Sequence, residues 1–357
     1  MALASLIETG SKVWLDGVDP ENIEKNYGRG ITGATSNPTI VSEIIRRGNF
    51  DDHIRELIEY GLSDDQIAWE LNDDVVTSAQ KVFLPVWERT NGDDGYVSFE
   101  LDPLIEDETT GLSRAERMKR YVDLGRKWSA GHCNRMIKVP ATPAGIDALE
   151  PLAAAGVTIN VTLIFTQRQY ELARDAIWRG AQHRNANLYF FKGVYSIFVS
   201  RVDVYTDKHL TNLSSATQGM AGIVNAKRIW RENQAFWRDK GLRLHQEIVF
   251  ASTGVKKPTD PPDKYVEAFA GGDILTNPTT TNEFVYKSPK VYTRRVDQMP
   301  SPSIVKEIDH KVDMEQLELG LMKEGNAKFG QSQVSLLKLI AEKRKALLAR
   351  GAHAILL

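Results

Sequence analysis

Among its 357 residues the chain has a single cysteine, Cys133. That excludes an intrachain disulfide framework, an all-cysteine zinc site and a CxxC redox pair. Charge of one sign is also missing, because 45 Lys plus Arg stand against 47 Asp plus Glu, a formal charge of -2. A protein that coats nucleic acid or sits on an acidic membrane surface carries a strong positive excess, so neither is expected; a local basic pocket still fits within a balanced total. No apolar stretch approaches the roughly 20 residues that cross a bilayer. The run Met1–Gly10 lacks the basic start and long apolar core of a signal peptide. These absences lead to an expectation of a soluble, reduced, cytoplasmic protein.

Several chemical signatures are absent as well. The seven histidines, at 53, 132, 183, 209, 245, 310 and 353, show no HExxH and no paired ligand spacing, so no metal is expected. His132 and Cys133 are adjacent, and on an extended chain they point to opposite faces. There is no Walker loop and no GxSxG elbow. Gly28-Arg-Gly-Ile-Thr-Gly33 matches GxGxxG in letters, but a dinucleotide fingerprint follows a strand and opens a helix. Here helix-like Glu21–Tyr27 comes first and strand-like Ile31–Asn37 contains the end of the motif. A helix C-cap and a turn into a strand explain it better, and a nicotinamide site is rejected.

What is present is globular: hydrophobic residues make up 42% and charged residues 26%, which rules out disorder as the dominant state. Eight strand-like runs alternate with amphipathic ones. They are Ser11–Asp16, Ile31–Asn37, Val97–Asp102, Arg135–Pro140, Thr158–Phe165, Val194–Val202, Glu247–Thr253 and Asp273–Asn277. Helical patterns such as Ala115–Trp128 and Gln167–Gly180 separate them. Alternation of this kind predicts parallel strands joined by crossovers, and eight strands predict one closed α/β barrel, a (β/α)8 TIM barrel. The whole chain, 1–357, is expected to form that one domain. Its Leu-, Lys- and Glu-rich tail, about 313–357, reads as one or two helices covering the barrel. Gly325 and Gly330 are the expected interruption points, since a mid-helix glycine costs about 1 kcal/mol. Lys256–Lys264 and Lys287–Pro302 read as loops.

Within the apolar strands a few polar residues stand out. Lys138, in Met136-Ile-Lys-Val-Pro-Ala-Thr142, faces opposite to Ile137 and Val139 by period two. In a barrel one of those faces is the packed interior, where an isolated ammonium is expensive. A surface-pointing lysine or a buried ion pair accounts for it; so does an amine nucleophile. At the ordinary lysine pKa only about one amine in 2,500 is neutral at pH 7, and desolvation raises that fraction. Asp16, Asn37 and Glu100 lie at or near the ends of the first three strands. Asn160 and Thr162 lie on the fifth, and Ser196, Phe198 and Arg201 along the sixth. Each alone has a structural account, Arg201 for instance pairing with Asp203. Together they place polar side chains toward the carboxyl ends of successive strands, where barrel enzymes build their sites.

The motifs Trp14-Leu-Asp16, Thr35-Ser-Asn-Pro-Thr-Ile40, Gly95-Tyr-Val-Ser-Phe-Glu100, Met136–Thr142, Asn160-Val-Thr-Leu-Ile-Phe165 and Ser196-Ile-Phe-Val-Ser-Arg201 resemble those of transaldolases. Ala251-Ser-Thr-Gly-Val-Lys256 and Gly320-Leu-Met-Lys-Glu-Gly325 fit too, in order over nearly the whole chain. The resemblance implies a class I, Schiff-base aldolase barrel with no metal or other cofactor, acting on sugar phosphates in the pentose phosphate pathway. It implies Lys138 as the imine-forming lysine, Asp16 as the acid/base, and Glu100 with Thr162 as holders of a catalytic water. Asn37 and Asn160 match the amides that bind the dihydroxyacetone unit, and Ser196, Phe198 and Arg201 match substrate and phosphate groups. Some family members carry an arginine after the Ala-Ser pair of the seventh strand. Here the run is Thr253-Gly-Val-Lys256, so Lys256 is the expected phosphate ligand, a point charge without the guanidinium fork. The eighth strand reads Asp273-Ile-Leu-Thr-Asn-Pro278 in place of a run of the Asn-Thr-Met-Pro type, which leaves acceptor choice open. An unusual sugar phosphate of specialised metabolism, cleavage without transfer, and a silent binding barrel are the alternatives. Nucleic acid and membrane are not expected partners, and a homodimer is left open.

Overall fold

Eight strands pair in chain order, all parallel, and the last closes on the first. They are β1 (Lys12–Asp16), β2 (Gly33–Thr35), β3 (Val97–Glu100), β4 (Arg135–Pro140), β5 (Ile159–Ile164), β6 (Gly193–Phe198), β7 (Glu247–Ala251) and β8 (Ile274–Asn277). This computed structural model describes residues 2–184 and 188–354, with side chains to residue 349. Met1 of the N-terminal run and residues 355–357 of the expected tail lie outside the described residues. The expected (β/α)8 barrel is therefore present. No helix among the described residues is long and apolar enough to cross a membrane.

Period two sorts the strands into two faces, up to a bulge near the end of β5. Val13, Leu15, Val97, Phe99, Ile137, Val139, Ile159, Val161, Ile197 and Ile248 point outward and pack under the helices in one apolar cluster. Burying each such side chain is worth about 1.5–3 kcal/mol. The opposite face fills the barrel in layers. Trp14, Tyr96, Met136, Val194, Val249 and Ile274 form a mainly apolar layer at mid-height. That layer is tight at Gly33, where an added Cβ would come within 2.6 Å of the Trp14 ring. Charged residues lie below the layer and polar residues above it.

Several strands hand over to helices through side-chain caps. Asn37, Thr142 and Thr166 each accept a backbone N–H from the first turn of the helix that follows β2, β4 and β5. Such a cap is worth about 1 kcal/mol. The Gly28–Gly33 run does end the helix Pro20–Tyr27 and lead into β2, with Gly30 in the left-handed region at φ 95°.

Two expectations about this chain need correction. β6 stops at Phe198, and the helix Val199–His209 begins there, so Arg201 lies on a first helical turn instead of a strand. The run Val199–Val202 begins and ends in β-branched valine, and Phe198 offers no side-chain cap that would have marked the change. The tail is one helix, Met314–Ala354, uninterrupted at Gly325 and Gly330. At Gly325 the reason is approach: a Cβ there would sit 3.3 Å from Leu163 of β5. The glycine lets the helix lie close against the barrel rim. Leu317 and Leu321 pack with Phe165, Phe198 and Val202, while Leu336, Leu339 and Ile340 pack with Val41, Ile45 and Leu71.

Candidate active site

Register places the polar residues of neighbouring strands side by side: Glu100 pairs with Lys138, and Lys138 with Asn160. Period two turns all three into the barrel, above the Trp14 layer. Lys138 is 6% exposed. Its Nζ donates to Glu100 Oε2 at 3.2 Å and to the Ser36 carbonyl at 3.2 Å. The amine thus points into the barrel toward a carboxylate, which fits both the buried ion pair and the nucleophile considered from the sequence.

Asp16 sits at the end of β1, half-buried, with Thr35 Oγ1 donating to it at 3.4 Å. Burial raises its pKa, against the pull of Lys138, Thr35 and Lys256. Glu100 is pushed up to about 7, first by burial and further by the Asp16 charge, with Lys138 opposing. Two carboxyls near one amine therefore hold protons unusually well. Groups shifted in this way concentrate at reactive sites.

Asn160 is locked by a chain of hydrogen bonds. Ser196 Oγ donates to its Oδ1 at 2.7 Å, and its Nδ2 donates to Ser98 Oγ at 2.8 Å. Ser98 was not anticipated from the sequence, although it shares the inward face with Glu100. Asn37 has its Oδ1 occupied by the Ile40 N–H at 3.1 Å, so it is both a helix cap and a residue of the barrel mouth. Thr162 is fully buried, and its Oγ1 has no hydrogen-bond partner among the described residues. A register irregularity between Val161 and Ile164, with Leu163 at φ 57°, sets the local course of β5. Such bulges re-aim side chains beside active sites.

Phe198 packs edge-on against Phe165, and the Arg201 guanidinium lies 5.6 Å from its ring. Arg201 does not pair with Asp203, whose carboxylate accepts from Gly222 N and Tyr265 Oη instead. Arg201 and Lys256 line one cleft of about 360 Å³ at the barrel rim. Lys256 is exposed there, yet its charge reaches the Asp16 carboxyl. All ten anticipated residues therefore lie at the carboxyl-terminal end of the barrel: Lys138, Glu100, Asp16, Asn160 and Ser196 together inside it, Thr162 on β5, Asn37 and Phe198 at its mouth, Arg201 and Lys256 beside it.

Sequence reasoning missed what the terminal helix adds. The Phe329 ring centre is 5.8 Å from Lys138 Nζ, and Gln333 lines a small recess with Ser36, Asn37 and Glu100. These residues are four apart and so share a helix face. Gly325 and Gly330 were the available signal, as sites of close packing in place of breaks.

Comparison with known proteins agrees with this geometry. The family model described as transaldolase/fructose-6-phosphate aldolase matches residues 13–340. The transaldolase of Thermobifida fusca (strain YX) is 33% identical over 308 residues, covering 79% of this chain and 81% of the relative. That of Mycobacterium leprae (strain Br4923) is 33% identical over 308 residues, covering 79% and 80%. That of Mycobacterium tuberculosis (strain ATCC 25618 / H37Rv) is 32% identical with the same coverage, 79% and 80%. With its closed barrel, buried lysine and inward carboxylates, and with a match over most of its length, the chain belongs to the transaldolase/fructose-6-phosphate aldolase family.

Proposed function

We propose that the protein is a transaldolase-type transferase that moves a dihydroxyacetone unit from a ketose phosphate to an aldose phosphate, with Lys138 as covalent carrier. The observation that carries this reading is the buried Lys138 Nζ, 3.2 Å from a carboxyl whose pKa stands at about 7. A carboxyl in that range can take a proton from the amine and return one at neutral pH.

In this reading Lys138 Nζ adds to the C2 carbonyl of the ketose. The resulting carbinolamine loses its oxygen as water, and the iminium left behind is an electron sink. Asp16 takes the C4 hydroxyl proton as the C3–C4 bond breaks; the bonding pair moves into the iminium and gives an enamine. The first aldose phosphate leaves. The enamine carbon then attacks the aldehyde of the incoming aldose phosphate, and Asp16 returns its proton to the new hydroxyl. Water hydrolyses the iminium and frees Lys138. Glu100 and Thr162 hold the water of the dehydration and hydration steps. The raised pKa of Asp16 helps it keep a proton between the two half-reactions.

Asn37 and Asn160 hold the hydroxyls of the three-carbon unit, and the Ser98–Asn160–Ser196 chain fixes the Asn160 amide in advance. Ser196 and Phe198 line the donor, while Arg201 and Lys256 face its phosphate. Phe329 lies over the amine and limits the access of bulk water to the enamine. Sugar phosphates are the donor and acceptor, and we place the reaction in the cytoplasm. The single thiol, Cys133, is exposed and free, which suits a reducing compartment.

The test is a coupled assay with fructose 6-phosphate and a panel of aldose phosphates. Product formation that requires an added acceptor supports transfer. Release of free dihydroxyacetone without an acceptor indicates a cleaving aldolase. The absence of both activities in folded protein indicates a binding barrel.

A further inference from the structure

The cleft that holds Arg201 and Lys256 has a third wall. It is lined by Lys328 and Glu324 of the terminal helix as well as by Lys208, Tyr205 and Ser252. Four basic side chains, Arg201, Lys208, Lys256 and Lys328, thus face one carboxylate, Glu324, in a chain whose total charge is nearly balanced. None of the four forms an ion pair among the described residues. The surroundings differ: Lys257, next in sequence to Lys256, pairs with Asp207 at 2.6 Å, and Lys264 pairs with Asp260 at 2.9 Å. Carboxylates close by engage the neighbouring lysines, while Glu324 alone faces the cleft's cations, and its charge acts on Arg201 without forming an ion pair.

Their convergence is close enough to be felt. Arg201, then burial, then Lys256 lower the pKa of Lys328. Four like charges gathered around a single carboxylate are unfavourable, and an anion seated among them relieves the repulsion. A phosphate monoester brings about -1.5 to -2 charges at pH 7 and three acceptor oxygens. Ser252 adds a further sign of a built site. It sits in the left-handed region at φ 55° and bonds to Ser200 through both its carbonyl and its hydroxyl. Non-glycine residues held in that region are uncommon and cluster at ligand clamps.

We propose that Lys328 is a phosphate ligand of the donor and acceptor sugars, and that the terminal helix thereby recognises the anionic end of the substrate. The proposal rests on the sugar-phosphate reading above and adds a specificity-determining residue to it. Arg201 supplies a fork from the base of the cleft, and Lys256 a point charge from the loop after β7. Lys328 closes the third side from a different part of the chain. The next residue on that helix, Phe329, lies over Lys138. One stretch of helix therefore touches both ends of the substrate, and phosphate binding at Lys328 holds Phe329 over the reacting carbon.

The test compares Lys328→Met with the wild type on phosphorylated and unphosphorylated substrates. For fructose 6-phosphate the KM should rise roughly 10- to 100-fold, the range of one hydrogen bond to a charged group. Trapping of unphosphorylated dihydroxyacetone on Lys138 by borohydride should proceed at the wild-type rate. Lys328→Arg should recover most of the loss, and Lys323→Met, an exposed charge on the same helix outside the cleft, should change neither measurement. Equal loss with both substrates would mean that the helix was damaged, and no change with either would mean that Lys328 is a solvent lysine; both results overturn the proposal. Calorimetric titration with inorganic phosphate reads Lys328 independently of turnover. Weaker binding in Lys328→Met supports its role even if no covalent adduct forms in the wild type, a result that would instead overturn the Schiff-base reading. Unchanged phosphate binding overturns the role of Lys328.

Discussion

The two ends of the barrel each bury lysines against carboxylates, and they do so to opposite effect. At the amino-terminal end Lys12 Nζ donates to Asp93 Oδ2 at 2.8 Å and Glu247 Oε2 at 2.9 Å. Lys192, fully buried, donates to the same two carboxylates. His245 N adds a bond to Asp93 Oδ1 at 2.8 Å, and Asp94 Oδ1 accepts from Trp14 Nε1 at 2.9 Å. Burial alone would lower Lys12, but Glu247, Asp94 and Asp93 hold it well above the usual lysine value. Burial would likewise raise Asp93, but His245, Lys192 and Lys12 hold it well below the usual carboxylate value. A base raised in the folded state stabilises the fold below its unfolded pKa and loses that contribution as pH rises through the folded one. A depressed acid stabilises above its unfolded pKa and loses the contribution as pH falls through the folded one. Lys12 and Asp93 therefore keep their charges throughout the neutral range. At the upper end Glu100 titrates near 7 and faces one lysine. Saturated pairing makes a plug; sparse pairing leaves a proton free to move.

That contrast can be broken at either end. Asp16→Ala should lower turnover by roughly 10²–10⁴-fold, the usual contribution of positioned proton transfer. The adduct trapped from fructose 6-phosphate should then keep all six sugar carbons, because the C3–C4 bond needs this base. Normal turnover would remove Asp16 from the acid/base role. Lys192→Met, at the lower end, should cost about 1.5–3 kcal/mol in a urea titration, since Asp93 and Glu247 lose one of the two lysines they share and keep Lys12. Adduct formation should persist wherever the variant is folded, and a loss of the adduct in folded protein would mean that the two ends are not separate in function.

Smaller effects sharpen the comparison. The wild-type rate should fall about tenfold per unit as pH drops below 7, where Glu100 becomes protonated and can no longer take a proton from Nζ. Glu100→Gln should flatten that limb and lower the plateau; an unchanged limb would assign it to another group. Thr162→Val removes a buried hydroxyl that has no partner among the described residues. Stability should rise by about 1 kcal/mol, because an unsatisfied polar group is costly to bury, while turnover slows. A loss of stability would make the hydroxyl structural.

Much of this arrangement was legible in the sequence because the barrel obeys period two. Lys138 between Ile137 and Val139, and Glu100 after Phe99, have one inward face each, and register then brings them together. The end of β6 was not legible: Val199 and Val202 are strand formers by type, and their helical spacing of three buries one against the barrel and the other under the terminal helix, contacts that are long-range in sequence. The contributions of Lys328, Phe329 and Gln333 were hidden for a different reason. A helix face shows its periodicity in sequence, but which strands it covers is set by long-range packing, here through Gly325 against Leu163. The lower plug, Lys12, Lys192 and Glu247, left a signal that went unread. Each opens or directly precedes a strand, two residues before the inward apolar side chain, where a charge must be paired.

Borohydride reduction in the presence of fructose 6-phosphate, followed by peptide mass spectrometry, tests the carrier amine itself. A reduced three-carbon unit should be found on the peptide containing Lys138 and should be absent from Lys138→Met. A modification on Lys12 or Lys192 instead, or no adduct in folded, phosphate-binding protein, would contradict the assignment.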